Sequence, residues 1–474
     1  MHSHELKPAP DLIKGLTEIL GPKGAIQDAD QISPHTKDWR GNYEGHSALL
    51  LKPASTEEVA ASVKLCAQYG QPITPQSGNT GLVNGGIPYG EVILSLERMT
   101  NVRDTDPHNN SLTADAGCIL ENIHSAAEAE DRYFPLHLGS QGSARLGGLI
   151  STNAGGVAVL RYGMMRDLIL GLEVVTANGE VWNGLSGLRK DNTGYDLKHL
   201  FCGAEGTLGV ITGATLKLFP VPKTATAWLS LTDVKSAVEL LSLVRSQVGD
   251  TVTGFEFMPQ RAVELTAKEI EHVRDPLQSE DPWRILIEVS MPSEDQARSN
   301  LESVLEKALE SELITDGVVA SSLAQSKDFW AVRESIPLVK RTYLSSVNHD
   351  VSVPVSKVPD FLAETEIAMK NMIPGVEIIA FGHLGDGNIH YSVAERTDPD
   401  NAVVRKRASE ITSCVHTIAT RYGGSISAEH GVGLLKVDEL PDHKSAIELS
   451  MMKSVKRALD PQNIMNPGRI FRLD

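Results

Sequence analysis

The chain has 474 residues, 61 of them acidic and 44 basic, so its formal net charge is −17. This acidic balance argues against nucleic acid and anionic membrane surfaces as partners, and no apolar run approaches the roughly 18 residues of a membrane span. The four cysteines, Cys66, Cys118, Cys202 and Cys414, form no CxxC pair, which favours a reducing compartment. Because the start MHSHELKPAP also has no apolar signal core, these features predict a cytoplasmic globular protein.

The first half of the chain is predicted to alternate strands and helices. Residues 11–20 place apolar side chains on one helical face. Ser55 and Glu58 have the spacing of a capping box and predict a second helix that ends at Gly70. The dipeptide Asn178-Gly179 predicts a hairpin turn inside LEVVTANGEVW. Further predicted strands are SALLLKPAS, QPITPQ, ILSLERM, SLTADAG and LGVITGATLKLFP, and LENIHSAAEAED is a further predicted helix.

After Pro220 the pattern becomes a regular succession of strands and longer helices. The segments ATAWLSL and RILIEVSM are predicted strands, and they precede the predicted helices SAVELLSLVRSQV and EDQARSNLESVLEKALESEL. This rhythm is typical of an α+β domain in which helices cover one face of a sheet.

Two glycine-rich loops dominate the first half, PQSGNTGLVNGG and LGSQGSARLGGLISTNAGG. The chain contains neither a GxGxxG motif nor a Gly-Lys dipeptide, which argues against a Rossmann NAD site and a nucleotide phosphate loop. Backbone N–H groups in such loops, with Ser and Thr hydroxyls, form concavities that bind anions. The two loops are therefore interpreted as the cradle of one long diphosphate ligand, with ordinary turns of a β-rich domain as the alternative.

The segment FGHLGDGNIH predicts a metal-binding hairpin. A two-residue turn at Asp386-Gly387 would place His383 opposite His390, with Cβ atoms about 5 Å apart. Two imidazoles at that spacing can bind one divalent ion, and Glu429 in SAEHGVG is the nearest credible third ligand. His430, beside it, is the candidate general base, since imidazole titrates near neutrality. The alternative is a polar hairpin with exposed histidines.

Several long motifs resemble the FAD domain of the vanillyl-alcohol oxidase / p-cresol methylhydroxylase superfamily: PITPQSGNTGLVNGG, LGSQGSARLGGLISTNAGG, RYGMMRDLILGLEVVTANGE and CGAEGTLGVIT. Three others, FGHLGDGNIH, SAEHGVG and LDPQNIMNPGRIF, resemble its FAD-linked D-2-hydroxyacid dehydrogenase branch. The resemblance implies an α+β fold, with a two-subdomain FAD-binding domain of the vanillyl-alcohol oxidase type and an α+β substrate (cap) domain with an antiparallel sheet. The FAD-binding domain would cover 1–220 and be completed by 461–474, and the substrate domain, carrying the metal site, would cover 221–460.

The resemblance also implies which residues bind FAD. Because the first loop offers only Asn79 and Thr80 where a His or Cys would carry a covalent link, non-covalent FAD is expected. The expected cofactor-binding residues are Pro75, Gln76, Ser77, Gly78, Asn79, Thr80, Gly81, Leu82, Gly85, Gly86, Leu138, Gly139, Ser140, Gly142, Ser143, Gly147, Gly148, Thr152, Asn153, Ala154, Gly156, Glu205, Gly209, Ile211 and Asn466.

The implied reaction is oxidation of a D-2-hydroxyacid to the 2-oxoacid, assisted by a divalent metal, with Zn²⁺ favoured and Mn²⁺ as the alternative. His430 would be the catalytic base, and the metal ligands would be His383, His390 and Glu429. The expected substrate-binding residues are Arg333, Lys340, Asn348, His383, His390, Ser392 and His430.

Two positions depart from the pattern of the 2-hydroxyglutarate enzymes. Asn348 stands where those enzymes typically carry Lys, and Ser392 stands where Asn is common. The expected substrate is therefore 2-hydroxyglutarate, only slightly ahead of D-lactate or another D-2-hydroxyacid. More distant alternatives are a metal-independent flavoprotein oxidase and a metallohydrolase without flavin.

Partners are expected to be small. They are the hydroxyacid itself and an electron acceptor, which is an electron-transfer flavoprotein, a quinone or a cytochrome. No nucleic acid and no integral membrane segment are expected, and a homodimer is the simplest expectation for the assembly.

Overall fold

The computed structural model describes residues 7–343, 345–396 and 402–473, with the side chains of 340–343 excepted. Within this part the chain forms two compact units. The first is drawn from Met1–Gly156, Gly163–Val221 and Glu429–Asp474, and the second from Val157–Tyr162 and Pro222–Ala428.

The helices are, in chain order, α1 (Pro10–Leu20), α2 (Ala29–Ile32), α3 (Thr56–Gln68), α4 (Leu120–Glu128), α5 (Leu146–Ser151), α6 (Val159–Tyr162), α7 (Met165–Leu168), α8 (Lys198–Phe201), α9 (Val234–Val248), α10 (Gln260–Glu269), α11 (Glu294–Glu310), α12 (Leu323–Tyr343), α13 (Val358–Met372), α14 (Val403–Lys406), α15 (Ala408–Arg421), α16 (Leu440–His443) and α17 (Ala446–Leu459). The strands are β1 (Ala25–Ile26), β2 (Leu50–Leu51), β3 (Ile73–Gln76), β4 (Val92–Ser95), β5 (Val102–Asp106), β6 (Ser111–Asp115), β7 (Arg132–Tyr133), β8 (Ile169–Thr176), β9 (Val181–Gly184), β10 (Gly209–Lys217), β11 (Phe219–Pro220), β12 (Lys223–Leu231), β13 (Val252–Pro259), β14 (Trp283–Met291), β15 (Asp316–Val319), β16 (Ser345–Ser352), β17 (Glu377–His383) and β18 (Asn388–Glu395). Single 3-10 turns cover Ser33–His35, Gly249–Thr251 and Val355–Lys357.

The first unit contains two main sheets. One has the strand order β1-β2-β4-β3, in which β2, β4 and β3 run parallel. The other is antiparallel, with the order β5-β6-β10-β8-β9, and β11 pairs with β7. Two separate sheets agree with the two-subdomain architecture that the resemblance implied.

Local sequence signals place several of these elements. The Ser55 hydroxyl accepts a hydrogen bond from Glu58 N (3.3 Å) and starts α3, while the Glu58 carboxylate accepts one from Ala54 N (2.7 Å). The β8–β9 turn requires Gly179, whose φ is +79°. A Cβ there would also lie 2.5 Å from the Lys64 side chain on α3. The predicted helix and hairpin are both confirmed.

The domain boundaries differ from the expected ones at the C-terminal end. Lys456 on α17 is buried and donates to the Asp460 carboxylate (2.5 Å), to Thr207 O (2.7 Å) and to Met465 O (2.7 Å). A buried ammonium needs all its hydrogen bonds satisfied, and these partners lie in the first unit. These contacts place α17 in the first unit, whose C-terminal part begins at Glu429 and not at residue 461.

A short segment inside the expected FAD domain belongs to the second unit. Arg161, in α6, donates from Nη1 to Ser290 O (2.6 Å). Leu160 packs against the core of the same unit, and a Cβ at Gly385 would lie 2.8 Å from it. These contacts explain why Val157–Tyr162 separates from the residues on either side.

The second unit is built on a seven-stranded antiparallel sheet with the order β15-β12-β14-β13-β17-β18-β16. On one face α9, α11, α13 and α15 cover residues such as Leu229, Phe257 and Ile287. On the other face α10 and α12 cover Trp228 and Leu286. The expectation of helices on one face is therefore wrong, because successive strand residues point to opposite faces and both sets are apolar here. The predicted antiparallel sheet is confirmed.

Among the described residues, no helix combines the length and the apolar composition needed to cross a membrane.

Candidate functional site

The first unit contains an open cavity, whose empty volume is about 990 Å³ with its mouth included. Both glycine loops line it. Sixteen of the expected cofactor residues are in its wall: Pro75, Gln76, Ser77, Gly78, Asn79, Thr80, Gly81, Gly85, Gly86, Gly147, Gly148, Thr152, Glu205, Gly209, Ile211 and Asn466. Nine others lie outside it: Leu82, Leu138, Gly139, Ser140, Gly142, Ser143, Asn153, Ala154 and Gly156.

Other lining residues are not among the expected cofactor-binding residues. Arg145 had a signal, since it is a cation inside the second glycine loop, and its guanidinium donates to Glu97 O (3.3 Å) and Gly117 O (2.6 Å). The apolar ones had none, because a side chain that faces a ligand looks like one that faces a core. The additional lining residues are Val83, Asn84, Ile87, Leu96, Ala144, Arg145, Leu149, Ser151, Gly206, Val210 and His430.

Four of the eleven described non-glycine residues with positive φ lie in the cavity wall. The φ angles are +50° at Asn79, +60° at Asn84, +49° at Glu205 and +44° at Asn466. Such conformations cost roughly 1–3 kcal/mol each at residues other than glycine and cluster at ligand-binding sites. Three of the four are asparagine, which tolerates this region best among non-glycine residues.

Two buried polar atoms in this wall test whether a polar cofactor fits. Asn466 donates from Nδ2 to Gly85 O (3.0 Å) and Glu205 O (2.7 Å). Its Oδ1, and Nδ2 of Asn84, are buried without a hydrogen-bond partner among the described residues. An unsatisfied buried group costs about 1–3 kcal/mol, and a ligand with donors and acceptors removes that cost. The wall therefore fits FAD.

The predicted base, His430, lines the same cavity. The turn that follows it is held by Glu205, whose carboxylate accepts hydrogen bonds from Val432 N (2.8 Å) and Gly433 N (2.7 Å). Burial raises the pKa of Glu205 above its usual value, although both N–H groups oppose that shift. Gly431 adopts φ +83°, and a Cβ there would lie 2.7 Å from the Glu205 carboxylate. Glu205 thus orders the residues around His430.

Replacing Gly78 by alanine is expected to weaken FAD binding. A Cβ at Gly78 would lie 2.5 Å from Ser143 O and 3.1 Å from Ala144 Cα, so the two glycine loops must separate. Overpacking of this kind costs about 1–3 kcal/mol. If that cost opposes FAD binding, the Kd for FAD rises roughly 5- to 150-fold. Titration of the apoprotein with FAD measures this Kd. The control is Gly139→Ala, where a Cβ would meet nothing within 4 Å. Equal FAD affinity in the two variants would contradict the prediction.

In the second unit, the histidine hairpin has a different register from the predicted one. Phe381, not His383, lies opposite His390. The connection is a longer loop, because Gly387 N donates to His383 O (3.1 Å) and Leu384 O (3.3 Å). The register moves by two residues, and side chains alternate with a period of two. Both histidines therefore stay on one face, with ring centroids 5.5 Å apart.

A buried carboxylate sets the tautomer of His383. The imidazole Nδ1 lies 2.6 Å from Glu256 Oε1, so the neutral ring carries its proton on Nδ1 and its lone pair on Nε2. A carboxylate behind a histidine in this way is typical of metal ligands. The geometry fits a divalent ion. His390 Nδ1 lies 3.6 Å from Asp350 Oδ1.

Arg333 shares the same carboxylate. It lies on α12, is 6% exposed, and donates from Nε to Glu256 Oε2 (2.7 Å). Its guanidinium carbon is 4.9 Å from the centroid of the Phe381 ring. Although burial raises the pKa of Glu256, His383 and Arg333 hold it below its usual value. Arg333 is therefore a buried, oriented cation and not a surface helix residue.

Two further expected substrate residues lie on neighbouring strands. Asn348 on β16 is directly opposite Ser392 on β18, and its Oδ1 accepts a hydrogen bond from the Ser392 hydroxyl (2.8 Å). The side chain of Lys340 lies outside the part that the structure describes.

Glu429 directly follows Ala428, whose backbone is held by a hydrogen bond. Ala428 N donates to Asp350 O (3.2 Å), and Asp350 is opposite His390 in the sheet. Glu429 is the next residue and opens the last segment of the first unit.

Comparisons with known proteins agree with this geometry. An FAD binding domain model matches residues 47–184, and a model of the C-terminal domain of FAD linked oxidases matches residues 222–470. A probable mitochondrial D-2-hydroxyglutarate dehydrogenase from Oryza sativa subsp. indica is 40% identical over 464 residues, which are 97% of this chain and 82% of that protein. The mitochondrial D-2-hydroxyglutarate dehydrogenase of Arabidopsis thaliana is 36% identical over 456 residues, 96% of this chain and 80% of that protein.

Among solved structures, p-cresol methylhydroxylase with substrate bound has a TM-score of 0.76 at 17% identity, covering 98% of this chain and 96% of that one. At this identity the likeness shows the fold alone, which is the vanillyl-alcohol oxidase type.

The comparisons also correct one expectation and remove one alternative. The cytoplasmic expectation is wrong, since the plant relatives are named mitochondrial; few cysteines indicate a reducing interior without naming the compartment. A flavin-free metallohydrolase is excluded by the matches to an FAD binding domain and to the C-terminal domain of FAD linked oxidases. The chain belongs to the FAD-linked D-2-hydroxyacid dehydrogenase family and is an FAD-dependent oxidoreductase.

Proposed function

We propose that the protein oxidises a D-2-hydroxyacid to the 2-oxoacid, with 2-hydroxyglutarate slightly favoured. The observation that carries the proposal is the position of His430 in the wall of the cavity that fits FAD. A base at that wall can remove the hydroxyl proton of a substrate whose C2–H bond faces the flavin. The names of the plant relatives support the choice of substrate.

Each group has one role in the proposed reaction. FAD, held non-covalently, supplies the acceptor for two electrons. His430 takes the proton of the 2-hydroxyl. Arg333 binds the substrate carboxylate, because the planar guanidinium can donate two parallel hydrogen bonds to it.

His383, His390 and Glu429 are the proposed ligands of one divalent ion, Zn²⁺ in preference to Mn²⁺. Such an ion supplies Lewis acidity at the substrate hydroxyl. Support comes from the shared face of the two histidines, from the Nδ1–H tautomer of His383, and from the connection of Glu429 through Ala428 to the strand opposite His390. A metal-independent flavoprotein oxidase is the alternative, and indifference to chelation would favour it.

The alternative substrate is D-lactate or another D-2-hydroxyacid without a second carboxylate. Asn348 and Ser392 form a neutral hydrogen-bonded pair on the sheet, and a neutral pair holds a distal carboxylate less strongly than a cation does.

Anaerobic flavin bleaching with D- and L-forms of 2-hydroxyglutarate, lactate and malate tests the function. We expect rapid bleaching by the D-forms, and fastest by D-2-hydroxyglutarate. Bleaching only by D-lactate would select the alternative, and no bleaching by any D-2-hydroxyacid would contradict the proposal.

Reoxidation of the bleached protein by an electron-transfer flavoprotein, a quinone or a cytochrome then identifies the electron acceptor. Sedimentation of the protein in solution tests the expected homodimer.

A further inference from the structure

Glu256 occupies the centre of the second unit, on the face of the sheet that α10 and α12 cover. Its strand, β13, lies between β14 and β17, and Glu256 is directly opposite His383. The side chain is 1% exposed. Water therefore cannot take the place of the protein groups that donate hydrogen bonds to its carboxylate.

The two carboxylate oxygens have different partners. Oε1 accepts from His383 Nδ1 at 2.6 Å, and Oε2 accepts from Arg333 Nε at 2.7 Å. Both are charge-assisted hydrogen bonds, which are short and strongly directional. One carboxylate thus determines the tautomer of an imidazole and the orientation of a guanidinium.

Glu256 binds Nε of Arg333, so the edge of the guanidinium that carries the two Nη nitrogens remains for a ligand. Among the described residues, neither Nη nitrogen of Arg333 donates a hydrogen bond to the protein. The Phe381 ring lies against the guanidinium at 4.9 Å and restricts its rotation. The pair of Nη donors is the edge that can bind a carboxylate through two hydrogen bonds.

We propose that Glu256 is a positioning residue that couples metal binding to recognition of the substrate carboxylate, because it holds His383 and Arg333 at the same time. The proposal rests on the proposed function of both residues. Glu256 touches neither substrate nor flavin in this scheme and acts through its two partners.

An isosteric amide separates this role from a packing role. Glutamine offers one acceptor and one NH₂ group, so either His383 Nδ1–H or Arg333 Nε–H faces a donor. If the amide turns its NH₂ to His383, the imidazole proton moves to Nε2 and the nitrogen proposed for the ion is lost. If it turns the NH₂ to Arg333, the guanidinium loses the hydrogen-bond acceptor that orients it.

The test compares Glu256→Gln with a matched control on the neighbouring strand. Glu288 on β14 is half-buried, and its carboxylate accepts hydrogen bonds from the neutral donors Thr253 Oγ1 (2.8 Å) and Trp330 Nε1 (3.0 Å). In Glu256→Gln we expect a Zn²⁺ Kd about 10- to 100-fold higher, by competition with a chromogenic chelator, a raised KM for the hydroxyacid, and unchanged FAD content. Glu288→Gln is expected to change none of these.

A Zn²⁺ Kd and KM of wild-type value in Glu256→Gln would overturn the proposal, as would equal losses in the two variants. A second measurement does not depend on how that variant folds. In metal-free wild-type protein labelled with ¹⁵N-histidine, we expect an Nδ1–H tautomer at His383, assigned by its absence in His383→Gln. An Nε2–H tautomer there would also overturn the proposal. Wild-type protein that bleaches with no D-2-hydroxyacid would instead contradict the proposed function.

Discussion

Glutamine at position 430 is expected to slow anaerobic flavin reduction by about 10²- to 10⁴-fold, the usual contribution of a general base. His430 lines the cavity that fits FAD, and an amide of similar size cannot take a proton from a hydroxyl. Stopped-flow bleaching under saturating D-2-hydroxyglutarate measures the rate. FAD and metal contents are expected to stay at the wild-type level, because His430 is not a proposed ligand of either.

The control for this variant is His108→Gln, an exposed histidine of the same unit, which is expected to reduce its flavin at the wild-type rate. An unchanged bleaching rate would refute the assignment of the base.

Alanine at position 383 is expected to abolish turnover almost completely while the protein keeps its FAD. Loss of one of two imidazoles on a shared face removes a ligand that the remaining groups do not replace. Lewis-acid stabilisation is worth several kcal/mol, so the rate should fall by about 10³-fold or more. Exhaustive chelation of wild-type protein should have the same effect, and added Zn²⁺ should restore only the wild type.

Two measurements make this second prediction specific. Elemental analysis should show less metal in His383→Ala than in His272→Asn, an exposed histidine whose φ of +70° suits asparagine. The flavin absorbance per protein should be the same in both variants, since the cavity residues lie in the other unit. Full activity of His383→Ala, or of chelated wild type, would contradict the metal role.

Local signals in the sequence were sufficient where the structure itself is local. The Ser55 cap and the Asn178-Gly179 turn depend on neighbours in the chain, whereas the antiparallel sheet of the second unit is implied by the family resemblance alone. The glycine loops were recognised because loops that approach a ligand closely carry glycine, and most of the residues expected to bind FAD do line the cavity.

Long-range packing produced the differences. The hairpin at His383 has another register because hydrogen bonds from Gly387 close a longer loop, and a dipeptide preference does not contain that information. Helix α17 belongs to the first unit and not to the second, because Lys456 donates to acceptors in the first unit. A lysine that will be buried is indistinguishable from an exposed one in a helical pattern.

By itself, the sequence shows that the chain is acidic, and it predicts an α+β arrangement after Pro220, two glycine loops that cradle a diphosphate ligand, and His383, His390, Glu429 and His430 as candidates for chemistry. Only the tertiary structure brought Glu256 between His383 and Arg333, which are separated from it by 127 and 77 positions. A single glutamate in an apolar strand belongs to no recognisable sequence motif. Its two contacts form only when β13, β17 and α12 pack together. Partners that are distant in the chain are selected by packing and desolvation, which no local pattern encodes.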